Sequence, residues 1–241
     1  MNSKKYFLIF LSRNCMKTAL NLLRTTVAVI ALTLSLSSCV INVTGFDNII
    51  GNGVSKTETR TVSTYSGIVN TIGADIEITC KQSPTLEITG DENILPYVTT
   101  EVRNGVLTIS TNRVSISPRQ LKIKTSTDML SNAEIIGSGN MVVTGVDTQN
   151  FSGLISGSGN MTVNGQMNSS RYTVSGSGNV EARNAAAQTV TANISGSGNI
   201  TVQVAQTLDG TISGSGSIIY FGNPGTVRRN ITGSGSIVGG R

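Results

Sequence analysis

Residues 131–241 contain a repeated GSG unit, and the carboxylates in this part of the chain are the first candidates for catalysis. A β-helix that cleaves polysaccharides, as a hydrolase or a lyase, needs two or three carboxylates that converge on one face, often with an arginine. Four acidic residues lie among the repeats, at positions that do not coincide from one repeat to the next: Glu134, Asp147, Glu181 and Asp209. A polysaccharide lyase or hydrolase therefore stays only an alternative, and we predict no catalytic residue.

The chain contains no histidine, which excludes Ser-His-Asp and Cys-His catalysis and every metal site that uses histidine. The sequence has no G-x-S-x-G, phosphate-binding loop or dinucleotide fingerprint. Calcium-binding β-rolls carry aspartate at each turn, whereas the turns here carry serine and asparagine. We predict that the protein is not an enzyme and uses no metal and no cofactor.

Cys39 is the residue for which the sequence predicts a covalent modification. Residues 16–39 have a basic start, an apolar run and then small residues, as a secretory signal does. The apolar run, 27–36, is too short for a spanning helix. The letters "LSSC" at 36–39 resemble the lipobox of bacterial lipoproteins, and the resemblance implies cleavage before Cys39 and lipid on that cysteine. A plain signal with an incidental cysteine is the alternative, and Met16 is a second candidate for the start of translation.

The net charge of +5 comes from the segment before Cys39, which holds five basic and no acidic residues. The remaining chain carries 13 basic and 13 acidic residues, so its balance gives no reason to expect nucleic acid as a partner. Scarce aromatics, 27 glycines and abundant Val, Ile and Thr favour strands and turns over helices.

The six letters "ISGSGN" and their close variants recur six times, at intervals of 18 to 20 residues. Such a fixed period indicates a stacked array of structural repeats. Apolar residues alternate with polar ones on both sides of each GSG, as in Ile155 two residues before Gly157 and Met161 four residues after it. Two short strands per repeat, each with one face inward, can bury that face only if the repeats stack. The sequence therefore predicts an all-β parallel β-helix with 19–20 residues per rung.

Glycine and asparagine have a structural explanation at the corners. Glycine is required where the chain turns with positive φ, or where the backbone of one rung presses on the next, and asparagine tolerates left-handed geometry and can form a ladder along the stack. The predicted turn glycines are Gly137, Gly139, Gly157, Gly159, Gly176, Gly178, Gly196, Gly198, Gly214, Gly216, Gly233 and Gly235. The predicted ladder consists of Asn140, Asn160, Asn179 and Asn199.

The signal-like N-terminus, Cys39 and the GSG repeats together predict the organisation of the whole chain. We assign 1–38 to a signal peptide, 39–59 to a lipidated N-terminus with a flexible tether, and 60–241 to a β-helical domain. Six GSG rungs occupy 131–241. In the part before them, 60–130, apolar and polar residues alternate but the GSG unit is absent. We expect this part to form irregular rungs closed by a cap, because the open end of a stack would associate edge to edge with other chains.

The strings "IGADIEIT" (72–79), "VLTIS" (106–110) and "LKIKTSTDMLSNAEIIGSGN" (121–140), followed by serial GSG units, resemble the head GIN domain family. Members of that family are described as auto-transporter adhesins and are common in envelope lipoproteins. The resemblance covers about 60–241. It implies a right-handed parallel β-helix with a β-rich N-terminal portion and an envelope location, and it implies no reaction and no functional residue.

We therefore expect a non-catalytic lipoprotein of the cell envelope, held at the outer membrane by its N-terminal lipid, on the periplasmic or the surface side. Flat faces of aligned hydroxyls and amides suit a glycan or an envelope protein as the partner, in adhesin-like binding. A structural or envelope-stress component that acts through other envelope proteins is the alternative.

Overall fold

The computed structural model describes residues 48–241. Its strands are β1 (Asn48–Ile50), β2 (Ser55–Thr59), β3 (Gly67–Asn70), β4 (Asp75–Cys80), β5 (Thr85–Asp91), β6 (Val98–Arg103), β7 (Val106–Thr111), β8 (Ser115–Ser117), β9 (Leu121–Thr127), β10 (Asn132–Gly137), β11 (Asn140–Gly157), β12 (Asn160–Gly176), β13 (Asn179–Gly196), β14 (Asn199–Gly214), β15 (Ser217–Phe221), β16 (Thr226–Gly233) and β17 (Ser236–Gly239). A short 3₁₀ helix, Leu95–Tyr97, lies between β5 and β6. Within this range, no helix is long and apolar enough to cross a membrane.

The GSG repeats form a parallel β-solenoid, which confirms the predicted fold class. Strands β11 to β14 are 16 to 18 residues long, and each runs from one corner to the next. Like residues of successive turns are paired in parallel, so that Ile155 pairs with Val174 and Val174 with Ile194. The six corners therefore bound five turns, stacked at the usual strand spacing of about 4.8 Å.

The core of the solenoid consists of columns of aliphatic side chains. Met141, Met161, Val180 and Ile200 are in register on one side of each corner, and all four are buried. Burying an aliphatic side chain of this size stabilises a fold by about 1.5–3 kcal/mol. Because every turn contributes one residue to each column, the stack gains a similar increment with each added turn.

The N-terminal part adds two layers to the stack in an order that differs from the chain order. Strands β3 and β4 form one layer, paired in parallel with β10 and β11. Strands β7 and β9 form the next layer: β7 pairs in parallel with β3, and β9 with β4, on the edges that face away from β10 and β11. The layer that comes first in the sequence thus lies second in space, between the β7/β9 layer and the first GSG turn.

Antiparallel strands close this end of the stack, as the predicted cap requires. Strand β6 pairs antiparallel with β7, β5 pairs antiparallel with β9, and β2 in turn pairs with β5. The 3₁₀ helix connects β5 to β6 and buries Leu95 completely. These strands occupy the hydrogen-bonding edges of the β7/β9 layer, which leaves fewer free edges for association with other chains.

The tether predicted over 39–59 is too long at its C-terminal end. Residues 48–59 contain β1 and β2, which pair with β8 and β5. Buried Asp91 holds the connection between them: its carboxylate accepts the N–H of Gly53 at 2.7 Å and that of Arg119 at 2.8 Å. A glycine- and asparagine-rich sequence without periodicity resembles a spacer because the partners that order it lie about 30 to 70 residues away in the chain.

Replacing Asp91 with asparagine is expected to destabilise the cap in a pH-dependent way. Burial opposes ionisation of Asp91, but the N–H donors of Arg119, Gly53 and Gln120 and the charge of Arg119 outweigh it, and the pKa of the carboxyl is lowered. A depressed folded-state pKa contributes stability that is fully present above the unfolded pKa of about 3.9 and is lost as the pH falls through the folded value. In urea unfolding, the difference between wild type and Asp91→Asn should be largest at pH 7 and should shrink below pH 4. A pH-independent difference would contradict this assignment.

Candidate binding surface

The two positions of each GSG require glycine for different reasons. The first has φ between 113° and 136° at all six corners, the left-handed region that favours glycine. The second lies outside that region but directly over the preceding turn, where a Cβ on Gly178 would overlap the carbonyl oxygen of Gly159 and lie 2.7 Å from Cγ2 of Ile155. From Gly157 onward, a Cβ added to the first glycine would also overlap a carbonyl oxygen of the preceding turn. A Cβ added to Gly137 would meet nothing within 4 Å.

The asparagines after the corners are joined by side-chain hydrogen bonds. Asn160 donates to Asn140 at 2.9 Å, Asn179 to Asn160 at 2.9 Å, and Asn199 to Asn179 at 3.0 Å. The row continues at both ends: Asn140 donates to the carboxylate of Asp75 at 2.8 Å, and Asn199 accepts the backbone N–H of Ser217. We call this row the asparagine ladder.

Asp75 fixes the direction of the asparagine ladder. An ionised carboxylate only accepts hydrogen bonds, so Asn140 must turn its NH₂ toward Asp75 and its oxygen toward Asn160. Every amide above it then points the same way, and aligned hydrogen bonds in a row polarise one another. Sequence reasoning missed Asp75 as the end of the row. The "GAD" at 73–75, which reads as a turn signal, occupies the corner position that GSGN has in the next layer.

Replacing Asn160 with alanine removes two bonds from the middle of the asparagine ladder, one to each neighbour. We expect a loss of about 0.5–1.5 kcal/mol in the free energy of unfolding, because the row is exposed and water replaces part of each bond. Asn164 lies on the same strand and has no side-chain partner among the described residues, so Asn164→Ala is the matched control. Equal effects of the two substitutions, measured by urea unfolding, would mean that the ladder contributes no stability.

Serine hydroxyls flank the asparagine ladder in two further exposed columns. One consists of Ser156, Ser175, Ser195, Ser213 and Thr232, and the other of the middle residues of the corners, Ser138, Ser158, Ser177, Ser197, Ser215 and Ser234. We call the ladder and these two columns together the serine–asparagine ridge. Its groups repeat once per turn, and its hydroxyls and amides both donate and accept hydrogen bonds.

A second polar surface lies near the middle of the long strands, at residues 147–149 of β11 and their counterparts in the following turns. Here the strands shift register at bulges and leave a shallow groove of about 530 Å³. We call it the carboxamide groove, since five of the lining residues are amides: Gln149, Gln166, Asn168, Gln188 and Gln203. Met167, Ala186 and Ala187 also line it, of which Met167 and Ala187 are buried.

Asp147 is the acidic residue of the carboxamide groove, and it is paired with a cation. Its carboxylate lies 2.8 Å from Nζ of Lys81. The hydrogen bond and the positive charge of Lys81 lower the pKa of Asp147, with a smaller contribution from the Gln166 amide. The ion pair is half exposed, so its contribution to stability is small, and the groove as a whole is close to neutral.

The remaining carboxylates considered for catalysis lie apart from one another. Asp209 approaches Arg228 at 4.0 Å near the C-terminal end of the stack, and Glu181 accepts the backbone N–H of Arg183. Within the described residues, no three His, Cys, Asp or Glu side chains are grouped so that they could hold a metal ion. Cys80 is buried, and burial raises the pKa of its thiol, which makes it a poor nucleophile.

The family described as "Putative auto-transporter adhesin, head GIN domain" matches residues 64–224. The chain belongs to this family. The match spans both N-terminal layers, the cap strands β5 and β6 and most of the GSG turns, so the head GIN domain is the solenoid itself. Among curated proteins, nothing matches.

Solved structures from Parabacteroides and Bacteroides resemble this head GIN domain over nearly their full length. A protein of Parabacteroides distasonis described as a "putative lipid binding protein" is 29% identical, with a TM-score of 0.52 over 80% of this chain and 100% of its own. A "putative adhesin" of Bacteroides fragilis is 21% identical, with a TM-score of 0.64 over 79% of this chain and 99% of its own. At 21% identity the second comparison supports the fold alone. The family and these neighbours are named as adhesins or lipid-binding proteins, not as enzymes.

The predicted lipidation site of this head GIN domain protein, Cys39, lies outside the described residues, as do the predicted signal peptide and the first part of the tether. An adhesin-like family indicates an envelope- or surface-associated protein.

Proposed function

We propose that the chain is a lipid-anchored, non-catalytic protein of the outer envelope that binds a ligand, in adhesin-like fashion, with the outer surface of its solenoid. One observation carries the proposal: polar side chains of the same type are exposed at each successive turn, about 4.8 Å apart. Contacts that are weak one by one add up when a repetitive ligand engages several of them at once. The four carboxylates of the GSG repeats share no column and form no pair for general acid–base catalysis.

The position of β1 supports an anchor at the capped end. Strand β1 pairs with β8, which lies between β7 and β9 in the outermost layer. Eight residues, 40–47, separate Cys39 from β1, and a fully extended segment of that length reaches about 30 Å. A lipid on Cys39 would hold the capped end within about 30 Å of the membrane.

Lipid anchoring is tested by Cys39→Ser in the full chain, expressed in the bacterium that carries it. We expect the wild-type protein in the membrane fraction with incorporated radiolabelled palmitate, and the variant without label and in the soluble fraction. A Cys80→Ser variant controls for the loss of a cysteine as such. Label and membrane association that persist in Cys39→Ser would disprove the lipid anchor on this residue.

Ligand binding is tested with intact cells that carry or lack the protein. Surface protease treatment shows whether the solenoid lies outside the cell, and adhesion to immobilised glycans and host cell surfaces shows whether it binds. We expect adhesion that requires the protein and is lost after protease treatment. If the protein resists protease and crosslinks only to inner-envelope proteins, a structural or envelope-stress role replaces this proposal.

A further inference from the structure

We propose that the carboxamide groove is the ligand site and that it takes a neutral glycan chain lying along the stack. This inference rests on the proposed function and adds to it the place of binding and the chemical class of the ligand.

Two of the amides have no side-chain partner among the described residues. Gln149 accepts a hydrogen bond from Asn168, and Gln166 lies beside Asp147, whereas the amides of Gln188 and Gln203 lie on β13 and β14 without one. Each amide offers two donors and one acceptor oxygen. A sugar hydroxyl both donates and accepts, so it matches an amide in either orientation.

The apolar residues of the groove complement the C–H face of a sugar ring. Met129, Ala186 and Ala205 are the exposed apolar residues of the lining, whereas Met167 and Ala187, which are paired on β12 and β13, are buried. Ligand sites commonly combine an apolar lining with a few polar groups that fix orientation. The groove spans four turns, β11 to β14, or about 14 Å at the usual strand spacing, which accommodates a short run of sugar units.

The charge of the groove favours a neutral chain over an acidic one. The lining of the groove contains no lysine or arginine, and Lys81, which approaches it through Asp147, is paired with that carboxylate. A uronate or sulfated polymer would need free cations, and binding next to the Asp147 carboxylate would cost repulsion. The same lack of cations in the lining disfavours nucleic acid.

The backbone of the groove disfavours an extended peptide. Peptides commonly bind a sheet by adding a strand to a free edge. In the groove, Gln166 is paired with Asp147 on one side and with Ala186 on the other, so the backbone hydrogen bonds are directed to neighbouring turns. The long strands that line the groove therefore offer no free sheet edge there, and their amide side chains suit hydroxyl-rich ligands.

The test uses the full-length chain in detergent and measures affinity for a panel of neutral oligosaccharides, namely glucans, mannans and N-acetylhexosamine oligomers, together with uronate oligomers of matched length. The groove variant is Gln188→Ala/Gln203→Ala. The matched control on the serine–asparagine ridge is Ser175→Ala/Ser195→Ala, which also removes two exposed polar groups from two turns. Circular dichroism and urea unfolding establish that both variants are folded.

We expect at least one neutral oligosaccharide to bind, uronates to bind more weakly, and the groove variant to lose about tenfold in affinity while the control is unchanged. Loss of binding in the ridge variant only would overturn the groove as the site but keep the proposed function. Preference for uronates would overturn the neutral class. Failure of every oligosaccharide to bind would overturn this inference, while the adhesion experiment on whole cells decides the proposed function separately.

Discussion

Replacing Gly176 with alanine is expected to lower the free energy of unfolding by about 3 kcal/mol or more. Two costs combine at this corner. The residue has φ of 127°, where an L-residue is strained by about 1–2 kcal/mol, and its Cβ would overlap the carbonyl oxygen of Gly157. That oxygen accepts the N–H groups of Ser177 and Gly178 at 3.0 and 3.1 Å, so moving it weakens two hydrogen bonds between turns.

The chain offers matched controls that separate the two costs. Gly137→Ala carries the strain alone, because φ is 113° and nothing lies within 4 Å of the added Cβ. Gly178→Ala carries the overlap alone, since its φ is outside the left-handed region. Urea unfolding of the three variants should rank Gly176→Ala as the most destabilised and Gly137→Ala as the least. Equal losses at Gly137 and Gly176 would show that the contact between turns is unimportant.

Replacing Tyr172 with alanine is expected to cost about 3–5 kcal/mol, the usual range for emptying a buried aromatic site. Tyr172 is buried and is paired with Gly153 on one side and Ala192 on the other. Its ring uses the space that these small residues leave: a Cβ on Gly153 would lie 3.0 Å from Cδ1 of Tyr172. Phe151 adds a tilted aromatic contact, with ring centroids 6.1 Å apart.

Tyr172→Phe is the control for this prediction. Burial raises the pKa of the Tyr172 phenol, and its hydroxyl lies 4.0 Å from the sulfur of Met167, a weak acceptor. Removing the hydroxyl should therefore change the free energy of unfolding by less than about 1 kcal/mol. If Tyr172→Phe were as damaging as Tyr172→Ala, the hydroxyl rather than the ring would hold this part of the core.

The large side chain of Tyr172 occurs in only one turn of its column, and the neighbouring turns have small residues at the same position. The column that contains Tyr172 holds glycine or alanine in the turns on either side, so bulk in one turn is compensated by small residues in the next. The pairing of Tyr172 with Gly153 and Ala192 is visible only once the register of the turns is known, because the spacing between corresponding residues varies from 18 to 20 along the chain.

The predicted tether shows where sequence periodicity misleads. Residues 48–59 have no alternation of apolar and polar residues, yet they contain strands β1 and β2. These strands form because β8, β5 and Asp91 supply their hydrogen-bond partners. The carboxamide groove shows the same limit: its amides lie in the irregular segments between the two alternating stretches of each repeat. Glutamine and asparagine there read as loop residues until the bulges bring them into adjacent rows.

The amino-acid sequence by itself determined the solenoid, its corners and its aliphatic columns. These features repeat at every turn and depend on residues close in sequence: glycine where φ is positive, and alternation where a strand has one buried face. The tertiary structure alone decided that the β3/β4 layer lies inside the β7/β9 layer, that residues 48–59 belong to the cap, and that five amides line one groove. Those arrangements depend on pairing between distant segments, and a pairing partner leaves no periodic mark in the sequence of the segment that it orders.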